Sequence, residues 1–288
     1  MLEGATVRDI EQELNRLREA STDDQAPVQR TSVMTHVAWV PERWVGRAVE
    51  TLAGLGERLP SRGILLFPEP DAEEDELGAE VDLRCFARGG HAGAVCFEVV
   101  QVHLRGERAS HPGSVVEPLL LPDLVVFLRW RGPLPFGSTE LEELVSVADR
   151  LIVDCSEWPS LEGGLAGLPE LFDRVAVSDI AWARTEPWRE AVAALWPEVR
   201  KASSLRVAGP KPEAVLLSSW LSTRLRRRIE LVHEPAGEVE LVEVDGRPAK
   251  PERLDSETSA DLLSDQLEQF GRDRIFEEVV RSFSRAKS

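Results

Sequence analysis

Four short apolar runs recur along the first half of this chain, and stretches with helical spacing or turn residues separate them. The runs span residues 31–40, 62–67, 124–130 and 151–155, and they are rich in Val, Leu and Ile. Short runs of this kind are typical of buried strands, and intervening helices allow such strands to pair in parallel. The pattern therefore predicts an α/β fold in which a β-sheet carries flanking helices.

A pair of alternating runs at residues 80–88 and 94–104 is joined by a glycine-rich turn. The period of two predicts an antiparallel hairpin, which makes the predicted sheet a mixed one. If the turn is centred between Gly90 and His91, Cys85 stands opposite Cys96, and the two cysteines are candidates for a thiol switch. The alternative is two core thiols that never pair in a reducing compartment.

Three helices have recognisable starts. Ser114 can cap a short helix, and Thr139 with Glu142 three residues later forms a capping box. Pro41 can open a helix that runs to about Leu59, because proline is tolerated in the first helical turn.

Length predicts two packed domains, since 288 residues are long for one compact domain. Glycines at positions 163, 164 and 167 interrupt the pattern of elements and mark the best candidate linker. We therefore expect an N-terminal helix and connector at residues 1–30, a mixed-sheet α/β domain at 31–163, and a smaller, helix-rich α/β domain at 164–288.

The charge balance narrows the range of partners. The chain has 51 acidic and 34 basic side chains and a formal net charge of −17, which repels phosphate backbones and anionic membrane surfaces. No run of about 18 apolar residues is available to cross a bilayer. We expect a cytoplasmic protein that binds neither nucleic acid nor membranes.

Sequence motifs for catalysis are missing. The chain has no GxxxxGK[ST], GxGxxG, HExxH or GxSxG pattern, and its five histidines lack the spacing of metal ligands. We therefore predict no catalytic residue, metal or cofactor. The alternative is an α/β enzyme or a sugar-phosphate sensor that uses Asp154 and Cys155, because this pair follows a predicted strand where open α/β sheets place ligand sites. The other interpretation is structural: Cys155 packs as a small apolar side chain, and Asp154 caps the end of the strand.

Tryptophan and arginine are concentrated between residues 182 and 196. Trp182, Arg184, Trp188 and Arg189 belong to the residue types enriched in protein interfaces, although packing of a helix pair explains them as well. A basic run at residues 221–228 can meet an acidic partner or form a solvated helix face.

Three blocks together resemble a known family. Residues 114–130 (SVVEPLLLPDLVVFLRW), 149–156 (DRLIVDCS) and 179–189 (DIAWARTEPWR) follow one another in the order and approximate spacing of the glucose-6-phosphate dehydrogenase assembly proteins, called OpcA. The similarity covers residues 31–196 well and the helical segment 214–226 loosely.

The resemblance implies a non-catalytic factor that binds oligomeric glucose-6-phosphate dehydrogenase and promotes its assembly or active state in the oxidative pentose phosphate pathway. On this interpretation the contact residues are Trp182, Arg184, Trp188 and Arg189. The resemblance leaves open the oligomeric state of the chain itself.

Overall fold

The chain divides into two compact units. The computed structural model describes residues 2–20, 32–48, 61–87, 94–252, 263, 267 and 271–285. The first unit comprises residues 1–152 and 259–269, and the second comprises residues 153–258 and 270–288. The division therefore falls eleven residues before the boundary expected from the glycines, and residues 1–30 belong to the first unit.

The first unit is built on a mixed sheet. Its described strands are β1 (Met34–Trp39), β2 (Arg62–Glu69), β3 (Leu77–Ala87), β4 (Ala94–Arg105), β5 (Val125–Trp130) and β6 (Arg150–Val153). They lie in the order β3-β4-β2-β1-β5-β6, with β3 and β4 antiparallel and the other neighbours parallel. The four apolar runs correspond to β1, β2, β5 and β6, which confirms the predicted α/β class and mixed sheet.

The order of the strands places a topological switch point at β1. Val37 of β1 pairs with Ile64 of β2 and with Leu128 of β5, so the two neighbours flank β1 on opposite sides. The chain leaves β1 toward β2 and leaves β5 toward β6, in opposite directions. The connections that follow β1 and β5 therefore diverge, as they do at the ligand-binding crevice of open α/β sheets.

The hairpin has the predicted register. Cys85 of β3 lies opposite Cys96 of β4, and the two are joined in a disulfide. Cys85 is exposed and Cys96 is buried, so the alternative of two separate core thiols is wrong. The thiol switch stays a prediction.

The N-terminal helix, α1 (Val7–Ala20), packs within the first unit. Thr6 and Asp9 cap it reciprocally, since the Thr6 N–H donates to Asp9 Oδ2 at 2.8 Å and the Asp9 N–H donates to Thr6 Oγ1 at 3.3 Å. Its apolar face buries Ile10 and Leu14. Arg18 at the end of the helix donates to the part-buried Glu98 carboxylate of β4 at 2.6 Å.

Two predicted helix starts are wrong. Helix α2 (Gly113–Leu119) begins before Ser114, and the Gly113 N–H is satisfied by Glu143 Oε2 at 2.9 Å. Helix α3 (Thr139–Val147) begins at Thr139 itself, so Thr139 cannot be the cap. The carboxylate of Glu143 supplies from α3 the acceptor that a local cap would have provided.

The helix predicted from Pro41 begins as a 3-10 turn, Glu42–Trp44, and continues to residue 48. The rest of that prediction, to Leu59, lies outside the described residues.

The second unit is smaller and richer in helices, as predicted. Its described strands are β7 (Ala176–Asp179), β8 (Ser204–Gly209), β9 (Glu230–Pro235), β10 (Leu241–Val244) and β11 (Arg247–Ala249). Its described α-helices are α4 (Leu161–Gly167), α5 (Ile180–Arg184), α6 (Glu186–Ala193), α7 (Lys211–Leu225) and α8 (Arg274–Arg285). The last four strands form a sheet in the order β11-β10-β8-β9.

The glycines expected to form a linker lie in helix α4. A β-carbon added to Gly164 would stand 2.2 Å from Cε3 of Trp158, so the missing side chain is what allows the indole to pack on the helix. The linker interpretation of these glycines is therefore wrong, because all three lie in a helix and Gly164 is needed there for close packing.

None of the helices in the described ranges combines the length and the apolar character needed to cross a membrane.

Candidate functional site

Four of the residues singled out in the sequence lie close together in the second unit, around the start of helix α5. They are Asp154, Cys155, Trp182 and Arg184. Asp154 follows β6, and Asp179 at the end of β7 caps α5 by accepting from the Trp182 N–H at 2.9 Å. The short strands thus bring two aspartates and a cysteine to one polar cluster.

Asp179 is the fully buried centre of this cluster. Its Oδ2 accepts from the Cys155 N–H at 3.0 Å, and its Oδ1 lies 3.6 Å from Cys155 Sγ. Burial, together with the nearby charge of Asp154, raises the pKa of Asp179 to about 7. The carboxyl group therefore changes its charge near neutral pH.

Arg184 links two further carboxylates. Its guanidinium donates to Asp154 Oδ2 at 2.8 Å and to Glu213 Oε1 of helix α7 at 3.0 Å. Burial raises the pKa of Glu213 despite this contact, because the ionised carboxylate is desolvated. Glu213 Oε2 is buried and has no hydrogen-bond partner among the described residues.

The environment of Cys155 does not activate its thiol. Burial raises the pKa of Cys155 well above its ordinary value, and the carboxylates of Asp179 and Asp154 raise it further. A nucleophilic thiolate needs the opposite surroundings, namely a positive neighbour or a base. The geometry supports the structural interpretation of Asp154 and Cys155, in which they position the ends of β6 and β7.

The tryptophan and arginine residues pack as a second, adjoining group. The Arg189 guanidinium lies 3.8 Å from the centre of the Trp182 ring and donates to Thr185 Oγ1 at 3.0 Å. Trp182 Nε1 donates to Asp273 Oδ2 at 2.7 Å, which ties α5 to the start of α8. The indoles of Trp182 and Trp188 are only 4% and 5% exposed.

The four predicted contact residues are therefore two buried tryptophans and two partly exposed arginines. Trp182 and Trp188 lie in the core of the second unit, and a partner can reach only the partly exposed arginines, Arg184 and Arg189. Contact of the four residues with a partner stays a prediction. The exposed tryptophan of this region is Trp196, at 61%.

Two members of the cluster could not be found from the sequence. Glu213 meets Arg184 from 29 residues away, and Asp273 meets Trp182 from 91 residues away. Neither residue belongs to a motif, so no local signal predicts them. Among the described residues no group of three or more His, Cys, Asp or Glu side chains is placed to hold a metal ion.

Fold and cluster together define a two-unit α/β protein whose second unit is held by a buried network of charged side chains. Models of two protein-family domains match this chain from residue 54 to residue 280, apart from residues 171–174. Residues 54–170 match the glucose-6-phosphate dehydrogenase subunit N-terminal domain, and residues 175–280 match the corresponding C-terminal domain. The chain therefore belongs to the family of glucose-6-phosphate dehydrogenase assembly proteins, OpcA, which confirms the resemblance seen in the sequence.

Two curated relatives carry the name "Putative OxPP cycle protein OpcA". The protein from Synechocystis is 28% identical over 58% of this chain and 37% of its own length, and that from Nostoc punctiforme is 23% identical over 65% of this chain and 42% of its own length. The matched region thus spans less than half of these relatives. A crystal structure of a "putative oxidoreductase" from Magnetospirillum magnetotacticum is 13% identical in sequence, and the match covers 88% of this chain and 99% of that one. The two structures superpose with a TM-score of 0.41, and a similarity this low supports no conclusion.

Proposed function

We propose that this protein binds glucose-6-phosphate dehydrogenase and, without catalysing a reaction itself, promotes the assembly or the active state of that enzyme in the oxidative pentose phosphate pathway. The observation that carries the proposal is the match of two successive domains of the family, both of which have the enzyme in their description. The inactive surroundings of Cys155 favour this function over the alternative of an enzyme or sensor that uses Asp154 and Cys155.

Activation by binding has a definite energetic requirement. A partner raises activity only if it binds the active form of the enzyme more tightly than the inactive form. A preference of about 2.7 kcal/mol shifts the equilibrium between the two forms roughly a hundredfold. A few well-buried anchors in an interface of ordinary size supply this much free energy.

Trp196 and Arg200 provide a suitable anchor on the second unit. The Trp196 ring is 61% exposed, and the Arg200 guanidinium lies 5.2 Å from its centre. Tryptophan and arginine are over-represented among the residues that dominate binding energy, and an exposed pair loses water-accessible area when a partner covers it. We place this pair at the interface with the dehydrogenase, together with the partly exposed Arg184 and Arg189 that the sequence predicts as contact residues.

The test mixes the purified protein with the glucose-6-phosphate dehydrogenase of the same organism and measures the rate at a substrate concentration below KM. The expected result is an increase in rate that saturates with the added protein. Trp196→Ala should weaken this response about tenfold, whereas Val232→Ala, which removes another exposed apolar side chain of the second unit, should leave it unchanged. Co-elution of the two proteins without a change in rate would reduce the role to that of a scaffold.

A further inference from the structure

The first unit gathers three arginines around one tryptophan. The guanidinium carbons of Arg43, Arg47 and Arg131 lie 5.5, 5.5 and 5.7 Å from the centre of the Trp44 ring. Distances of this size are typical of cation–π contacts. Three positively charged side chains thus surround one ring, in a chain whose net charge is −17.

This arginine cluster lies at the topological switch point of the sheet. Trp39 ends β1, Trp130 ends β5, and their rings stack with centres 4.9 Å apart. Arg131 directly follows Trp130, and its N–H donates to the Trp39 carbonyl at 3.1 Å, so the pairing of the two strands extends to the cluster. Open α/β sheets bind their ligands in this place, outside the carboxyl ends of two neighbouring strands whose following connections run in opposite directions.

The backbone at this point leaves room for the cluster. Gly132 has a φ of 82°, which favours glycine, and a β-carbon on it would stand 2.9 Å from an Arg43 guanidinium nitrogen and 3.5 Å from Trp44 Nε1. The indole N–H of Trp44 is buried and has no acceptor among the described residues. Because this N–H can only donate, a bound oxygen would satisfy it.

The charges of the arginines also affect a histidine inside the sheet. His36 on β1 is buried, and neither of its ring nitrogens has a hydrogen-bond partner among the described residues. Burial and the charges of Arg129 and Arg131 lower the pKa of His36 to about 4.

We propose that Arg43, Trp44, Arg47, Arg131 and Gly132 form a binding site for a small phosphorylated metabolite. The guanidinium groups bind the phosphate oxygens, for which arginine has matching geometry, and the indole N–H supplies one further donor. A small ligand fits better than a protein surface, because Arg131 is only 8% exposed and a bulky partner cannot reach it. This inference does not rest on the proposed function, since binding is measured on the isolated chain.

The test measures binding to the full chain by isothermal titration calorimetry, with inorganic phosphate and a hexose 6-phosphate as probes and the free hexose as the uncharged control. The expected result is binding of at least one phosphate probe and no binding of the free hexose. A hexose 6-phosphate that binds more tightly than inorganic phosphate identifies a sugar phosphate as the ligand, and equal affinity restricts the site to the phosphate group. Absence of binding by both phosphate probes would overturn the proposal.

A matched pair of variants assigns the binding to the cluster. Arg43→Gln with Arg47→Gln removes two exposed guanidinium groups from the site, and affinity should fall roughly tenfold or more because charge-assisted hydrogen bonds are lost. Arg227→Gln with Arg228→Gln removes the same charge from exposed positions of the second unit and should change affinity less than about twofold. Equal losses in the two double variants would show only a general effect of net charge and would refute the site.

Discussion

Gly164 lies so close to Trp158 that a β-carbon on the glycine would stand 2.2 Å from the indole. The contact fixes helix α4 against the segment that follows β6, next to the buried cluster of Asp154 and Cys155. A glycine that the sequence marks as a place of chain freedom is thus a point of close packing.

Gly164→Ala should destabilise the protein, because the new methyl group must displace the Trp158 ring, at a cost of about 1–3 kcal/mol. Gly163→Ala in the same helix is the control. There the nearest atom is the hydroxyl oxygen of Ser160, which can move, and alanine favours a helix, so stability should stay equal or rise slightly. Urea unfolding of both variants measures the difference, and equal effects would refute the packing role of Gly164.

Arg184→Ala should destabilise the second unit by about 3 kcal/mol, because Asp154 and Glu213 would then be buried without their cationic partner. Arg206 is a suitable comparison, since it also contacts two carboxylates, of Glu234 and Glu243, but on the surface. Arg206→Ala should have little effect, because exposed ion pairs contribute little. The free energy of unfolding of both variants is measured at neutral pH. Similar decreases in the two variants would contradict the expectation that the buried ion pairs matter more than the exposed ones.

His36 should make the protein sensitive to acid. Its folded-state pKa of about 4 lies below the ordinary value of 6.5, so the unfolded chain binds the proton more tightly. Above pH 6.5 the imidazole is neutral in both states, and His36 does not lower the free energy of unfolding. As the pH falls from 6.5 toward 4, the free energy of unfolding should decrease by about 3 kcal/mol in total.

The variant His36→Leu should therefore lose less stability than the native protein between pH 6.5 and 4, as measured by urea unfolding at several pH values. His111→Gln, which changes an exposed histidine, is the control and should retain the pH dependence of the native protein. An unchanged pH dependence in His36→Leu would show that the imidazole is not the group responsible.

The three cysteines should react differently with an alkylating reagent. Cys85 and Cys96 are joined in a disulfide and Cys155 is buried, so the native chain should take up almost no label. Unfolding without a reductant should expose one thiol, and unfolding with a reductant should expose three. Mass spectrometry of the labelled peptides measures this, and labelling of Cys85 in the unreduced chain would contradict the pairing.

The strands could be predicted from the sequence because each depends on local information. An apolar run of a few residues predicts a buried strand wherever it occurs, and the hairpin register follows from two alternating runs around one turn. The register predicted for Cys85 and Cys96 was correct for this reason.

Features that depend on distant residues could not be predicted. The true partner of the Gly113 N–H is Glu143, 30 residues away, so the local signal from Ser114 was misleading. Asp154 was recognised because it follows a strand, whereas Glu213, its companion around Arg184, belongs to a helix 59 positions later and has no motif. Arg131 likewise joins Arg43 and Arg47 at Trp44 only because β1 and β5 are neighbours in the sheet.

Each unit is made of two separate segments of the chain, and this affects the order in which the units can be completed during synthesis on the ribosome. Helix α8 supplies the buried Phe276, Val279 and Val280 to the second unit, and residues 259–269 belong to the first. The first unit gains its last segment only after residues 153–258 of the second unit have been translated, and helix α8 of the second unit follows later still. A chain that stops at residue 258 therefore lacks part of each unit, and we expect both units to be unstable in it.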